Sequence, residues 1–375
     1  MTKKVLILAG EVSGDLHGSN LVRAMKSFSP DLEFFGIGGD RMRKAGVDLL
    51  YHIDQISLMG FVEVLRHIPS LRKIKERLLS FVRINSIDAI VLIDYPGFNL
   101  SFAKSVSEFC KKVYYYISPQ LWAWGKNRIE IIKKHVQKMI VVFPFEEELY
   151  RKHGIDATFV GHPLIDVIEN YEFIPRELFF NYHNLDKNKK LLVVFPGSRI
   201  QEVKNLLSPT LNAVEKLKNE FDLNVVIAGV KSIEESLYLK FTQGKVPIIY
   251  DSNYELLKYG DLGVIKSGTS TLEAAILQIP FVVIYRTSFL SYLISKSLIQ
   301  IDKISLANIL AEEKIVDELI QYDCTEKKIY NKVKDFLLNP EKADALKQNL
   351  KKVKELLGKS GASVNAAWLI LSEIL

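Results

Sequence analysis

The chain has 375 residues, 48% of them hydrophobic and 25% charged, which excludes global disorder and leaves room for two domains. Its two cysteines, Cys110 and Cys324, form no CxxC pair, so no disulfide framework or zinc knuckle is expected, as suits a reducing cytoplasm. A net charge of +6 favours anionic partners only weakly, because the charge can be spread over solvated helix faces.

In chain order, the opening "MTKKVLILAG" has an apolar run too brief for a signal-peptide core, and it reads as a buried first strand running into a glycine turn. That turn, "LAGEVSGDLHGSN", lacks the G-x-G-x-x-G order that seats a pyrophosphate, and no Walker lysine follows. It offers Glu11, Ser13, Asp15 and His17, a polar set suited to sugar hydroxyls and equally able to cap the next helix. After "EFFGIGG", the stretch from Leu58 to Val82 places Leu71, Ile74, Leu78 and Phe81 at helical spacing beside Arg72, Lys73, Lys75 and Arg77. Such a face packs on a sheet or lies on an anionic bilayer. The additional apolar residues before Pro69 favour membrane contact through Leu58, Met59, Phe61, Leu71 and Leu78. No 18 consecutive residues are apolar, so no transmembrane span is expected.

"AIVLIDYPGFN" delivers Asp94 to the carboxyl end of an apolar strand, and Pro96-Gly97 turns the chain away. Partial desolvation there raises a carboxyl pKa and lets it draw a proton from an attacking hydroxyl; the competing reading is an aspartate bonded to its own turn. Further strands are read in "VYYYIS", "KMIVVFP" and "TFVGHP". The run Glu146-Glu147-Glu148 sits at a helix start, where adjacent side chains do not face one another, and no DxD pair occurs, so no metal site is expected.

Residues 166–190 are polar and uneven, a connector between a first lobe, 1–165, and a second, 191–340, where alternation restarts with "KLLVVFPG", "NVVIAGV", "VPIIYD", "LGVIKSG" and "PFVVIYR". The tail, 341–375, is helical by pattern; it can cross back to the first lobe or exchange with a second subunit, which leaves a homo-oligomer open. The whole predicts an α/β protein of two doubly wound, Rossmann-like lobes facing a cleft, with ligands at the carboxyl ends of the strands.

"VFPGSRIQEV" ends a strand at Pro196-Gly197 and sets Ser198 and Arg199 at the mouth of a helix, where free N–H groups, the helix dipole and a planar guanidinium all favour phosphate. "VIKSGTSTLEAAI" repeats the device with Ser267, Gly268 and Thr269. Glu273 follows about one and a half helical turns on, where a carboxylate can accept from ribose hydroxyls. Either turn alone could be a capped helix; two in one lobe suggest a nucleoside diphosphate. No basic strip interleaved with aromatics is seen, so a nucleic-acid partner is not expected.

Taken in order, "AGEVSGDLHG", "DYPGFN", "ISPQLWAW", "VGHP", "FPGSRIQEV", "SGTSTLE" and "SLANIL" resemble the lipid-A-disaccharide synthase family, inverting glycosyltransferases of the GT-B fold. The resemblance implies UDP-2,3-diacylglucosamine as donor, 2,3-diacylglucosamine 1-phosphate (lipid X) as acceptor, no cofactor, and a cytoplasmic protein peripheral on the inner face of the inner membrane. By motif it implies Asp94 as general base, Arg199 and Ser198 on the diphosphate, Ser267, Gly268 and Thr269 at the second phosphate turn, Glu273 on the nucleoside and Asn308 as another donor-site group. Glu11, Ser13 and Asp15 would line the sugar side. Trp122 and Trp124 belong to the pattern and read as packing residues. Lys266 departs from it, standing where the family usually has a small or apolar residue, as does Ala307, where proline is commoner. Other UDP-sugar enzymes of the same fold, an N-acetylglucosaminyltransferase of cell-wall synthesis or a 2-epimerase, remain the alternatives, since fold alone does not fix chemistry.

Overall fold

The computed structural model describes residues 2–56, 61–121, 128–287 and 303–375, with 61–68 described by helical backbone only. Leu58, Met59, Trp122 and Trp124 therefore lie outside the described residues, as does the side chain of Phe61. The chain divides into two compact units, Met1–Glu169 with Leu357–Leu375, and Asn170–Leu356.

The first unit is built on seven strands, β1 (Lys4–Ala9), β2 (Glu33–Gly38), β3 (Val47–His52), β4 (Ala89–Ile93), β5 (Val113–Tyr116), β6 (Lys138–Val141) and β7 (Ala157–Phe159). They pair in parallel in the order β3-β2-β1-β4-β5-β6-β7. Parallel strands covered on both faces need apolar side chains on both, and β4, AIVLI, is buried at every position. The helices are α1 (Val12–Phe28), α2 (Asp40–Lys44), α3 (Phe61–Asn85), α4 (Pro96–Val106), α5 (Arg128–His135), α6 (Pro144–Lys152) and α7 (Pro163–Glu169).

Helix α3 settles one expectation. Leu78 is fully buried and packs with Ile74, Val82 and strand residues in the core of the unit, and Leu71 leans on the same cluster. The apolar stripe that suggested lipid faces the sheet instead, so Leu78 is a core residue and not a membrane contact. Arg72, Lys73 and Arg77 are exposed.

The second unit carries α8 (Arg176–Tyr182), β8 (Lys190–Phe195), α9 (Ile200–Glu220), β9 (Leu223–Gly229), α10 (Glu235–Thr242), β10 (Ile248–Tyr250), α11 (Asn253–Tyr259), β11 (Leu262–Lys266), α12 (Thr269–Ile276), β12 (Phe281–Tyr285), α13 (Leu306–Leu310), β13 (Glu318–Ile320), α14 (Glu326–Leu338) and α15 (Pro340–Leu356). Its sheet is also parallel, in the order β10-β9-β8-β11-β12-β13.

The tail is shared. Helix α15 packs on α12 and α14 of the second unit, whereas the last helix, α16 (Ala362–Ile374), lies against α1 and α7 of the first. Both ends of α16 are tied to that unit. At its start Asp166 accepts from the N–H of Gly361 at 2.5 Å and from Ser360 Oγ at 3.0 Å. Near its end Glu373 accepts from Tyr114 Oη at 3.0 Å and pairs with Lys138 at 2.8 Å.

Candidate active site

In each sheet the strand order reverses once, between β1 and β4 in the first unit and between β8 and β11 in the second. At such a switch the two flanking helices leave on opposite faces, opening a crevice at the carboxyl ends of the strands. The four turns singled out by sequence follow these four strands.

In the first unit, β4 hands over to α4 through Asp94 and Tyr95, both with left-handed backbone (φ +45° each). That conformation costs a residue with a Cβ on the order of 1 kcal/mol or more and persists only where the surroundings impose it. Here they do. The Asp94 N–H donates to Tyr116 O at 3.1 Å, the Asp94 carbonyl accepts from Asn99 Nδ2 at 2.8 Å and from Tyr115 Oη, and Tyr95 Oη donates to Ile56 O at 3.1 Å. The Tyr95 ring also lies across Gly10, where a Cβ would come within 2.3 Å of it, so the glycine of the β1 turn is needed for the tyrosine to lie there.

With the main chain held, the Asp94 carboxyl is half-buried, and burial, followed by the negative charge of Glu11, raises its pKa to about 6. Such a carboxyl is ionised at neutral pH yet more basic than an ordinary aspartate, which suits proton abstraction. Glu11 and Ser13 are exposed beside it on the β1 turn.

Asp15 is not a sugar ligand here. It is 4% exposed, and its carboxylate accepts from the N–H groups of Gly39 (2.7 Å), Met42 (3.0 Å) and Arg41 (3.2 Å), capping α2. His17 is also withdrawn: it is buried, which lowers its pKa to about 4 and keeps it neutral. His162 of "VGHP" is likewise buried, its pKa lowered to about 3 by desolvation and then by His17.

The acidic run of α6 disperses. Glu146 is buried and accepts from Ser118 Oγ at 2.6 Å, while Glu147 pairs with Arg151 and Glu148 with Lys152. Among the described residues no three His, Cys, Asp or Glu side chains gather as a metal site.

In the second unit, Gly197 turns with φ +110°, and Ser198 and Arg199 follow as exposed residues, Arg199 being the N-cap of α9. Glu202 completes this turn: its Oε2 accepts from the N–H of Ser198 (3.0 Å) and of Arg199 (3.3 Å). Its other oxygen, Oε1, lies 2.8 Å from Lys266 Nζ at the end of β11, the neighbouring strand. The two phosphate-type turns are thus joined by an ion pair that pattern reading missed. The signal was present in "SRIQE", an acid three residues after the N-cap.

At the second turn Thr269 is exposed and Gly268 half-exposed. Ser267 differs from expectation: its N–H donates to Ile284 O (3.0 Å) and its hydroxyl to Ile304 O (2.9 Å), so both donors are spent shaping the loop. Glu273, on α12, lies near Tyr254 Oη (3.5 Å), and burial lifts its pKa to about 7. Asn308 is corrected outright. It is fully buried, donates to Val316 O (2.9 Å) and Glu318 Oε1 (2.8 Å), and accepts from the Val316 N–H (2.8 Å); it braces α13 and touches no ligand surface.

The family described as "Lipid-A-disaccharide synthetase" matches residues 5–370. The chain belongs to the lipid-A-disaccharide synthase family. A relative named lipid-A-disaccharide synthase, from Geobacter sulfurreducens, is 37% identical over 98% of this chain and 96% of its own length. Among solved structures, a UDP-N-acetylglucosamine 2-epimerase from Listeria monocytogenes superimposes with a TM-score of 0.69 at 13% identity, covering 100% of this chain and 97% of its own. The glycotransferase of kitacinnamycin does so at 0.67 and 12%, covering 100% of both chains. These two show the GT-B type of fold alone, since epimerase and transferase fit equally well. Membership of the lipid-A-disaccharide synthase family makes the protein a hexosyltransferase of lipid A biosynthesis.

Proposed function

We propose that the protein condenses UDP-2,3-diacylglucosamine with lipid X, the acceptor's 6-hydroxyl attacking the donor's anomeric carbon to give the β-1,6-linked disaccharide 1-phosphate and UDP. Asp94 takes the hydroxyl proton as the new C–O bond forms and the bond to the diphosphate breaks, and attack from the face opposite the leaving group inverts the anomeric centre. Ser198, Arg199, Gly268 and Thr269 hold the diphosphate, Glu273 accepts from the ribose, and Glu11 and Ser13 meet sugar hydroxyls. The charge that develops on UDP is balanced by Arg199 and the two helix ends without a metal. The observation carrying the reading is Asp94, a strand-end carboxyl in an imposed left-handed turn with its pKa raised to about 6.

The acyl chains of both substrates bring the protein to the cytoplasmic face of the inner membrane. The exposed cations Arg72, Lys73 and Arg77 of α3 support this, as does the apolar character of the sequence at residues 58–61. Reversing Arg72 and Lys73 to glutamate should release the protein from anionic vesicles while neutral vesicles bind neither form; retention would remove the membrane assignment.

The reaction is tested by incubating the protein with lipid X and its UDP derivative, in EDTA, and following the disaccharide by thin-layer chromatography. Product is expected. Turnover or 2-epimerisation of UDP-N-acetylglucosamine lacking acyl chains, with none of the lipid pair, would overturn the reading in favour of another UDP-sugar enzyme.

A further inference from the structure

Lys266, at the end of β11, stands at the point where the two phosphate-type turns meet. Its ammonium is paired with one carboxylate and has the Gly268 turn and the Tyr285 ring as neighbours. Nζ lies 2.8 Å from Glu202 Oε1, 3.5 Å from where a Cβ on Gly268 would be, and 5.9 Å from the centre of the Tyr285 ring. The side chain is 19% exposed and that of Glu202 15%, so the pair is largely shielded from water. Glu202 in turn fills the N–H groups of Ser198 and Arg199 with its second oxygen. One carboxylate therefore occupies the donors of the first turn and the cation of the second at once, as two oxygens of a bound diphosphate would.

We propose that Glu202 is an internal stand-in for the diphosphate and that Lys266 is a diphosphate-positioning residue, moving from Glu202 to a phosphate oxygen when a nucleoside diphosphate binds. The proposal rests on the reading that this unit binds UDP. A compact ammonium suits such an exchange, because it can trade one oxygen for another without the planar register an arginine demands. Arg199 is exposed whereas the Lys266 side chain is 19% exposed, so Lys266 would supply the more sheltered of the two charges.

The test is calorimetric titration of the full-length protein with UDP and, separately, with uridine. Wild type that binds no UDP would sink the nucleotide reading itself. If wild type binds, Lys266→Met should weaken UDP by roughly 10- to 100-fold, the loss of one hydrogen bond to a charged group. Uridine affinity should be unchanged and Lys266→Arg should recover only part of the loss. The double variant Lys266→Met with Glu202→Gln separates direct contact from simple neutralisation. It should remain weak for UDP; recovery of wild-type affinity, or an unchanged Kd in Lys266→Met, would overturn the role of Lys266 while leaving UDP binding intact.

Discussion

The two units solve the same architectural problem and equip it with opposite charge. Each reverses its strand order between two neighbouring parallel strands and sets two turns at the reversal. In the first unit those turns present Glu11 and Asp94, two carboxyls whose mutual repulsion adds to burial in raising the Asp94 pKa. In the second they present Arg199, Lys266 and helix N-termini, with Glu202 as an acid bonded into the turns. The backbone topology is therefore indifferent to chemistry, and a few side chains at the reversal points decide whether the turns there carry acidic or basic groups.

The comparison is broken most directly at Asp94. Asp94→Asn should lower kcat by about 10² to 10⁴-fold, the usual contribution of base catalysis, while UDP affinity measured by titration stays at the wild-type value. A loss of UDP binding to match would mean that the two units do not divide the work. The same variant should be more stable than wild type at pH 8. The folded state holds the Asp94 proton more firmly than the unfolded chain, so this group costs stability as pH rises from about 4 through about 6, and neutral asparagine avoids that cost. Urea unfolding at pH 4 and pH 8 checks the sign; a wild type that is not relatively weakened at the higher pH would contradict the raised pKa.

Next in size come Leu78, expected at a membrane, and Asn308, expected at the donor site, both of which the structure places in the scaffold. Leu78→Ser should lower unfolding stability by about 3 kcal/mol or more through the cavity and the buried hydroxyl, whereas a membrane contact would tolerate it. Asn308→Ala removes three buried hydrogen bonds and should cost about 2 to 4 kcal/mol in denaturant unfolding, with UDP affinity of the folded fraction unchanged. A selective loss of nucleotide would return Asn308 to the donor site. The smallest effect sharpens the contrast between the units. Glu11→Gln should move the acidic limb of the kcat/KM profile to lower pH, because a neutral neighbour no longer opposes ionisation of Asp94, though burial still holds that pKa above an ordinary aspartate. An unmoved limb would show that some other group sets it.

What was legible in the sequence was whatever local chemistry writes. Runs such as AIVLI and KLLVVF announce strands covered on both faces, and Pro-Gly or Ser-Gly after them announces the turns. Strand order was not legible, since nothing in VVFPG says that LGVIK lies alongside it. For the same reason the Glu202–Lys266 pair could not be read, although Lys266 itself stood out. Two misreadings share a cause: polar type says what a side chain can bond, and only the fold says what reaches it first. Asp15 had a helix start to cap and Asn308 had a loop to brace before any ligand could claim them. The amphipathic face of α3 was ambiguous in another way, because a sheet and a bilayer both accept the same stripe of leucines.

Helix α16 carries a consequence for how the protein comes into being. A ribosome delivers the chain from its amino end, yet the unit begun first lacks its closing helix until Leu357–Leu375 have left the exit tunnel. The second unit ends at Leu356 and draws on no later residue, so only the first unit depends on the segment Leu357–Leu375. A bulky fusion placed after Leu375 would burden the helix that closes the first unit, and a released chain cut before Gly361 should hold a second unit complete to Leu356 beside a first unit without its closing helix.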